Sequence, residues 1–286
     1  MTKFLNKIAI LIFFITTVFN CFAAEKEDSV ISCPVTGIYS LEFGQKQVLA
    51  TYLSPLTYSG IDYGISGEWS KAMPFNPEKA LMRFRLGGNF SNLLNPAHTA
   101  RMIGLNGYFS WGMAWRNKLG AKGQWTLGGA IEMAGGAYYL LRNGNNPVQA
   151  MADLSLDINA GISYPFRLGK LNLLVADNVS LPSLGVFFNP QYGETYYEIY
   201  LGNHKGLAHA GWWGNNFRVD NLLSVTFDFG RTAAMIGYRL NAWNQWANRL
   251  NTRIITHSFV IGVIPGGIGL KKSKPRNISS TLYSVY

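Results

Sequence analysis

Cysteine is nearly absent, with two residues in 286, too few for a disulfide framework, a multi-cysteine zinc site or an iron–sulfur cluster. Charge is sparse too, at 14% of residues against 48% hydrophobic and 14% aromatic. That balance excludes a disordered polyelectrolyte, a collagen-like chain and a low-complexity chain. Four histidines are present, but none is spaced as His-Glu-x-x-His, and Gly-x-Ser-x-Gly is missing. Gly266-Gly267-Ile268-Gly269 is followed by no helical pattern and is no phosphate loop. The formal net charge is +10, yet Lys3 and Lys7 belong to a leader and Lys271, Lys272, Lys274 and Arg276 to a basic tail. No basic helix, zinc-finger spacing or RNA-binding strand motif accompanies the charge, so nucleic acid is not an expected partner. No cofactor or metal is expected either.

What is there begins with an export signal. Lys3 and Lys7 precede an apolar run over residues 8–19, and Cys21-Phe22-Ala23 or Phe22-Ala23-Ala24 gives a small-residue cleavage site. The run is shorter than the roughly 20 residues of a spanning helix, and Glu25, Glu27 and Asp28 follow it, so residues 1–24 read as a cleaved signal. Cys33 is then the one thiol of the mature chain.

The dominant signal beyond it has a period of two. Ile61, Tyr63, Ile65 and Trp69 alternate with Asp62, Gly64, Ser66 and Glu68, as the opposite faces of a strand require. The pattern recurs at Met82–Phe90, Ile103–Trp115, Trp125–Met133, Leu154–Tyr164, Leu171–Val179, Leu223–Phe229, Ala234–Leu240 and Phe259–Val263. Period alone fits a soluble barrel with apolar side chains inward as well as a membrane barrel with them outward. Trp69, Trp111, Trp115, Trp125, Tyr164 and Trp243 fall at or near strand ends, as interfacial girdles do, and favour the membrane barrel. The opposite parity carries Glu68, Arg83, Arg85, Glu132, Asp157, Asp228 and Arg239, the expected lumen charges. These have two readings, a packed salt-bridge network and the lining of a small pore. A narrow barrel favours the first.

The expected fold is all-β, an antiparallel transmembrane barrel over residues 25–265 with a basic tail over 266–286. Nine alternating segments and a tenth over residues 36–53 give ten strands; twelve follow if residues 186–201 add a hairpin. Tight turns at residues 167–170 and 230–231 mark the periplasmic side. Segments 92–102, 141–150, 182–216 and 244–251 are the expected outer loops. The loop 182–216 carries Tyr192, Tyr196, Tyr197, Tyr200, Trp212 and Trp213, a surface for an extracellular ligand or a plug for the barrel mouth.

Three stretches carry a family resemblance: Leu49-Ala50-Thr51-Tyr52-Leu53-Ser54-Pro55-Leu56-Thr57-Tyr58, Phe188-Asn189-Pro190-Gln191-Tyr192-Gly193-Glu194-Thr195-Tyr196-Tyr197-Glu198-Ile199, and Thr256-His257-Ser258-Phe259-Val260-Ile261-Gly262. Together they resemble a family of Bacteroidetes outer-membrane proteins that carry a domain of unknown function. Ala50 stands where that resemblance leads one to expect an acidic residue. The resemblance implies a bacterial outer-membrane barrel in contact with lipid and supplies no catalytic residue. Two functions from different classes follow: a barrel of structural, binding or small-solute role, and a hydrolase acting on lipid or peptide at the outer rim. For the hydrolase, the candidate residues are His204 or His209 with Glu198, since a nucleophile needs a base within reach. His98 and His257 read as polar loop or interface residues.

Overall fold

A computed structural model describes residues 33–268. The signal segment, Cys21 and the tail lysines lie outside the described residues. Eleven strands run in order: β1 (Thr36–Ala50), β2 (Ser54–Ala72), β3 (Ala80–Leu94), β4 (Arg101–Leu119), β5 (Gly123–Leu140), β6 (Val148–Leu168), β7 (Leu171–Phe188), β8 (Ala208–Trp212), β9 (Asn216–Asp228), β10 (Thr232–Ala247) and β11 (Leu250–Pro265). Among the described residues one short helix, α1 (Tyr196–Tyr200), interrupts them.

Every pairing is antiparallel; β1 bonds to both β2 and β11, and β6 bonds to β7, so the sheet closes on itself. β8 and β9 both pair with β7, at Leu184–Phe188 and Asn172–Ser180 respectively, and so make one interrupted position. The closed barrel therefore has ten positions. Pairing partners followed from Tyr39 through β2 to β5 reach Leu154 of β6. Followed through β11, β10, β9 and β7 they reach Phe166 of the same strand. Closure thus staggers the register between 154 and 166, which requires strands steeply tilted to the barrel axis.

Alternation sets the two faces. Ile65 is 66% exposed, Leu105 65% and Leu156 53%, while Asp62, Ser110, Asp157 and Ser155 of the opposite parity are buried inside. Trp115, Trp125 and Tyr164 lie outward toward the turn end, and Tyr139, Phe217 and Trp246 outward toward the loop end. Trp243 corrects the expected girdle. It is 8% exposed, faces inward, and donates its indole N–H to Asn216 Oδ1 at 2.8 Å.

Two expected loops are strand. Segment 244–251 is the end of β10, the start of β11 and a turn of Asn248 and Arg249, at φ 53 and 62. Consecutive positive-φ residues match the right-handed twist of the strands they join. Segment 182–216 holds the end of β7, all of β8 and the start of β9, leaving 189–207 as the true loop. A bulge explains why the pattern faded there. Asp157 pairs with Pro182 but Leu156 with Leu184, so the outward parity of β7 switches from odd (Val175, Val179) to even (Leu184, Val186). No hairpin forms within 186–201, and the twelve-strand alternative falls away.

The interior is layered. At the loop end an apolar cluster of Val48, Leu53, Tyr58, Leu93, Met102, Tyr138, Leu140, Met151, Trp243 and Ile254 fills the bore. Ionised side chains occupy the middle. Leu174, Ala233, Ile264 and Ile268 close part of the turn end.

Candidate functional site

The middle layer forms because inward-facing positions on seven strands converge on a bore only a few side chains wide. Arg218 of β9 meets Glu132 of β5 at 3.1 Å, Asp157 of β6 at 3.1 Å and Asp153 of β6 at 3.5 Å. Its guanidinium also lies 5.5 Å from the centre of the Trp243 ring, in the geometry of a cation–π contact. Arg85 of β3 shares Glu132 at 3.0 Å and reaches Asp220 at 3.5 Å. Arg239 of β10 pairs with Glu42 of β1 and lies 3.1 Å from Asp220, at an angle that makes this contact an ion pair without a hydrogen bond. Lys46 of β1, 2% exposed, pairs with Asp62 of β2 at 2.7 Å and donates to Asn89 at 2.9 Å. Six carboxylates thus face four cations: Glu42, Asp62, Glu132, Asp153, Asp157 and Asp220 against Lys46, Arg85, Arg218 and Arg239.

The expected lumen charges divide. Arg85, Glu132, Asp157 and Arg239 enter this network, and Glu68 with Arg83 makes a separate pair at 3.1 Å. Asp228 does not join them. It sits in the β9–β10 turn, where its carboxylate accepts the Gly230 N–H at 2.9 Å. Glu42, Lys46, Asp62, Asp153, Arg218 and Asp220 were not picked out. Arg218 and Asp220 fall between the expected loop, which ends at 216, and the alternation that resumes at Leu223, and Lys46 lies between Gln45 and Gln47, where both parities are polar. Their inward parity was the available signal.

Between these groups lies a cavity of about 90 Å³ lined by Glu42, Lys46, Asp62, Tyr108, Glu132, Asp220 and Arg239, and beneath it another of about 30 Å³. Ligand pockets measure roughly 300–1,000 Å³. Both cavities fall below that range, and the charges around them are paired with one another. Among the described residues no group of three or more His, Cys, Asp or Glu is arranged to hold a metal ion.

At the loop end the first two resemblance stretches meet. Tyr52 donates its hydroxyl to Glu194 O at 2.6 Å and packs edge-on against Tyr196, with ring centres 6.1 Å apart. The Tyr196 hydroxyl accepts the Ala150 N–H at 2.6 Å. Burial, with smaller contributions from Tyr196 and Glu194, pushes the Tyr52 phenol up to about 12. Thr195 caps α1: Glu198 N–H donates to its hydroxyl at 3.1 Å, and Thr195 N–H donates to the Glu198 carboxylate at 2.7 Å. That reciprocal cap holds the Glu198 carboxyl below the ordinary glutamate value.

The cap engages the Glu198 Oε2 with both the N–H and the hydroxyl of Thr195. His204 is exposed in the loop. His209 instead contacts Asn189 O at 3.1 Å and Asn248 Nδ2 at 3.2 Å, with its ring against Phe187. Among the described residues no hydrogen bond joins either histidine to Glu198. His257 points outward to the Tyr238 hydroxyl while Ser258 points inward, because alternation puts neighbours on opposite faces. Of the loop aromatics, Tyr196 is packed down. Tyr192, Tyr197 and Tyr200 are exposed, as are Trp212 and Trp213, the latter donating its indole N–H to Pro182 O. The buried apolar cluster around Tyr138 and Met102 does not include these loop rings.

Known proteins give a limited comparison. No curated protein matches the chain. Among solved structures, the outer membrane protease OmpT from Escherichia coli is similar at 8% identity and a TM-score of 0.44, over 84% of this chain and 99% of that one. The β domain of the Bordetella autotransporter BrkA is similar at 11% identity and a TM-score of 0.27, over 82% and 100%. Superpositions this loose bear on neither activity nor mechanism. The family model described as protein of unknown function DUF3316 matches residues 9–274, and the chain belongs to that family.

Proposed function

We propose that this protein is a barrel of the bacterial outer membrane with a closed bore, which acts by binding at its loop end and not by passing solutes. The observation that supports this reading most is its inside-out polarity. Apolar side chains such as Ile65, Leu105 and Leu156 cover the outer wall, and a network of charges is sealed within. Apart from the five-residue β8, the strands run to 13 to 21 residues and exceed the roughly 9–11 that cross such a membrane. The short turns are then periplasmic and the loop 189–207 extracellular, with Tyr192, Tyr197 and Tyr200 presented to a ligand outside the cell. A Bacteroidetes origin and a cleaved signal over residues 1–24 belong to the same reading. The hydrolase alternative gains no support from residues that fail to converge.

Nitroxide labels at Ile65, Phe109 and Leu156 of the reconstituted protein test the reading. They should be accessible to oxygen and shielded from a water-soluble relaxation agent; shielding from both would mean a protein interior and would sink the membrane assignment. In planar bilayers the protein should show no steady conductance. Sustained single-channel steps would overturn the closed bore while leaving the membrane assignment standing.

A further inference from the structure

We propose that the turn end of the barrel is a docking collar for anionic phospholipid headgroups, an inference that rests on the membrane reading above. Each of the four turns at that end presents exposed basic side chains. Lys79 lies between β2 and β3, Lys118 and Lys122 at the β4–β5 turn, Arg167 and Lys170 at the β6–β7 turn, and Arg231 between β9 and β10. Among the described residues of these turns, one exposed carboxylate, Glu78, stands against these six, since Asp228 is buried in its own turn.

Six acids of the barrel are spent inside, in the ion network, and the turn surface is left cationic. Position identifies the partner. The collar lies immediately beyond the outward rings of Trp115, Trp125 and Tyr164, and aromatic rings in such a belt sit at the level of lipid headgroups. Basic side chains just past that level meet lipid phosphates before any soluble partner. Clustered Lys and Arg beside a membrane surface bind anionic lipids, each contributing roughly a fivefold gain in partitioning.

The test uses the full-length chain inserted into phosphatidylcholine vesicles containing phosphatidylglycerol, re-extracted in mild detergent, with co-purifying lipid measured by native mass spectrometry. Phosphatidylglycerol should be enriched over its share of the bilayer, and raising the salt should lower the enrichment. The variant Lys79→Gln/Lys122→Gln/Lys170→Gln/Arg231→Gln should lose at least about tenfold of it. A control at the other end, Arg142→Gln/Lys205→Gln/Arg249→Gln, should keep it. Insertion of the wild-type chain with no preference between the two lipids, or equal losses in the two variants, would overturn the collar. Failure to insert into either lipid would sink the membrane reading itself. The salt dependence of the wild-type protein decides the matter even if a variant folds poorly.

Discussion

At the scale of single residues, Arg218 carries the largest consequence. It is 4% exposed and touches Glu132, Asp153 and Asp157, so Arg218→Met leaves three buried carboxylates facing one another. Breaking a buried pair by removing one partner costs about 3–5 kcal/mol. The variant should show that loss in urea unfolding followed by heat-modifiable gel mobility. Two groups outside the barrel wall set pH limits on the loop end. The Glu198 pKa is depressed, so its cap contributes fully above the ordinary glutamate value and is lost as pH falls through the lower folded value. The Tyr52 phenol is raised to about 12, so its contact with Glu194 persists below the ordinary tyrosine value and is lost as pH rises through the folded one. Proteolysis of the loop 189–207 should therefore accelerate at both extremes, with tyrosinate absorbance marking the upper limb. A flat profile would count against both assignments. Arg83, Arg85 and Glu132 were legible in sequence because they sit in regular alternation. Asp228 misled because its parity is right, but it lies at the strand end, where the Gly230 N–H captures its carboxylate.

The elements depend on small irregularities that alternation does not announce. Gly104 of β4 faces the bore opposite the Tyr138 ring, and a Cβ there would come within 2.6 Å of that ring and 2.4 Å of Ser91 Oγ. Gly104→Val should overpack this layer and cost about 1–3 kcal/mol, read as a lower urea midpoint; an unchanged midpoint would mean the layer is looser than described. The bulge between β6 and β7 shows why β7 looked short. One extra residue shifts the side-chain phase, and a pattern read in fixed steps of two ends there although the strand continues to Phe188. The β10–β11 turn failed for a related reason. Asn248-Arg249 lacks glycine, so its positive-φ pair carried no strong mark in the sequence.

On the scale of the whole molecule, the outer wall carries a discordant acid. Asp177 of β7 is exposed between apolar neighbours, with Asn221 Nδ2 donating to it at 2.6 Å. A charge on a lipid-facing position is destabilising, so Asp177→Leu should raise the unfolding temperature in bilayers more than in detergent. A lower temperature would show that this flank is covered by something polar. The sequence alone determined the class of fold and, where alternation is regular, which side chains share a face of each strand, while leaving ten or twelve strands open, because side-chain alternation is a local property of extended backbone. Only the tertiary structure decided which charges meet and where apolar side chains fill the bore. Those outcomes depend on the closing stagger, which brings Arg218 to Asp157 and Arg239 to Glu42 across long stretches of chain; no local pattern encodes such a register.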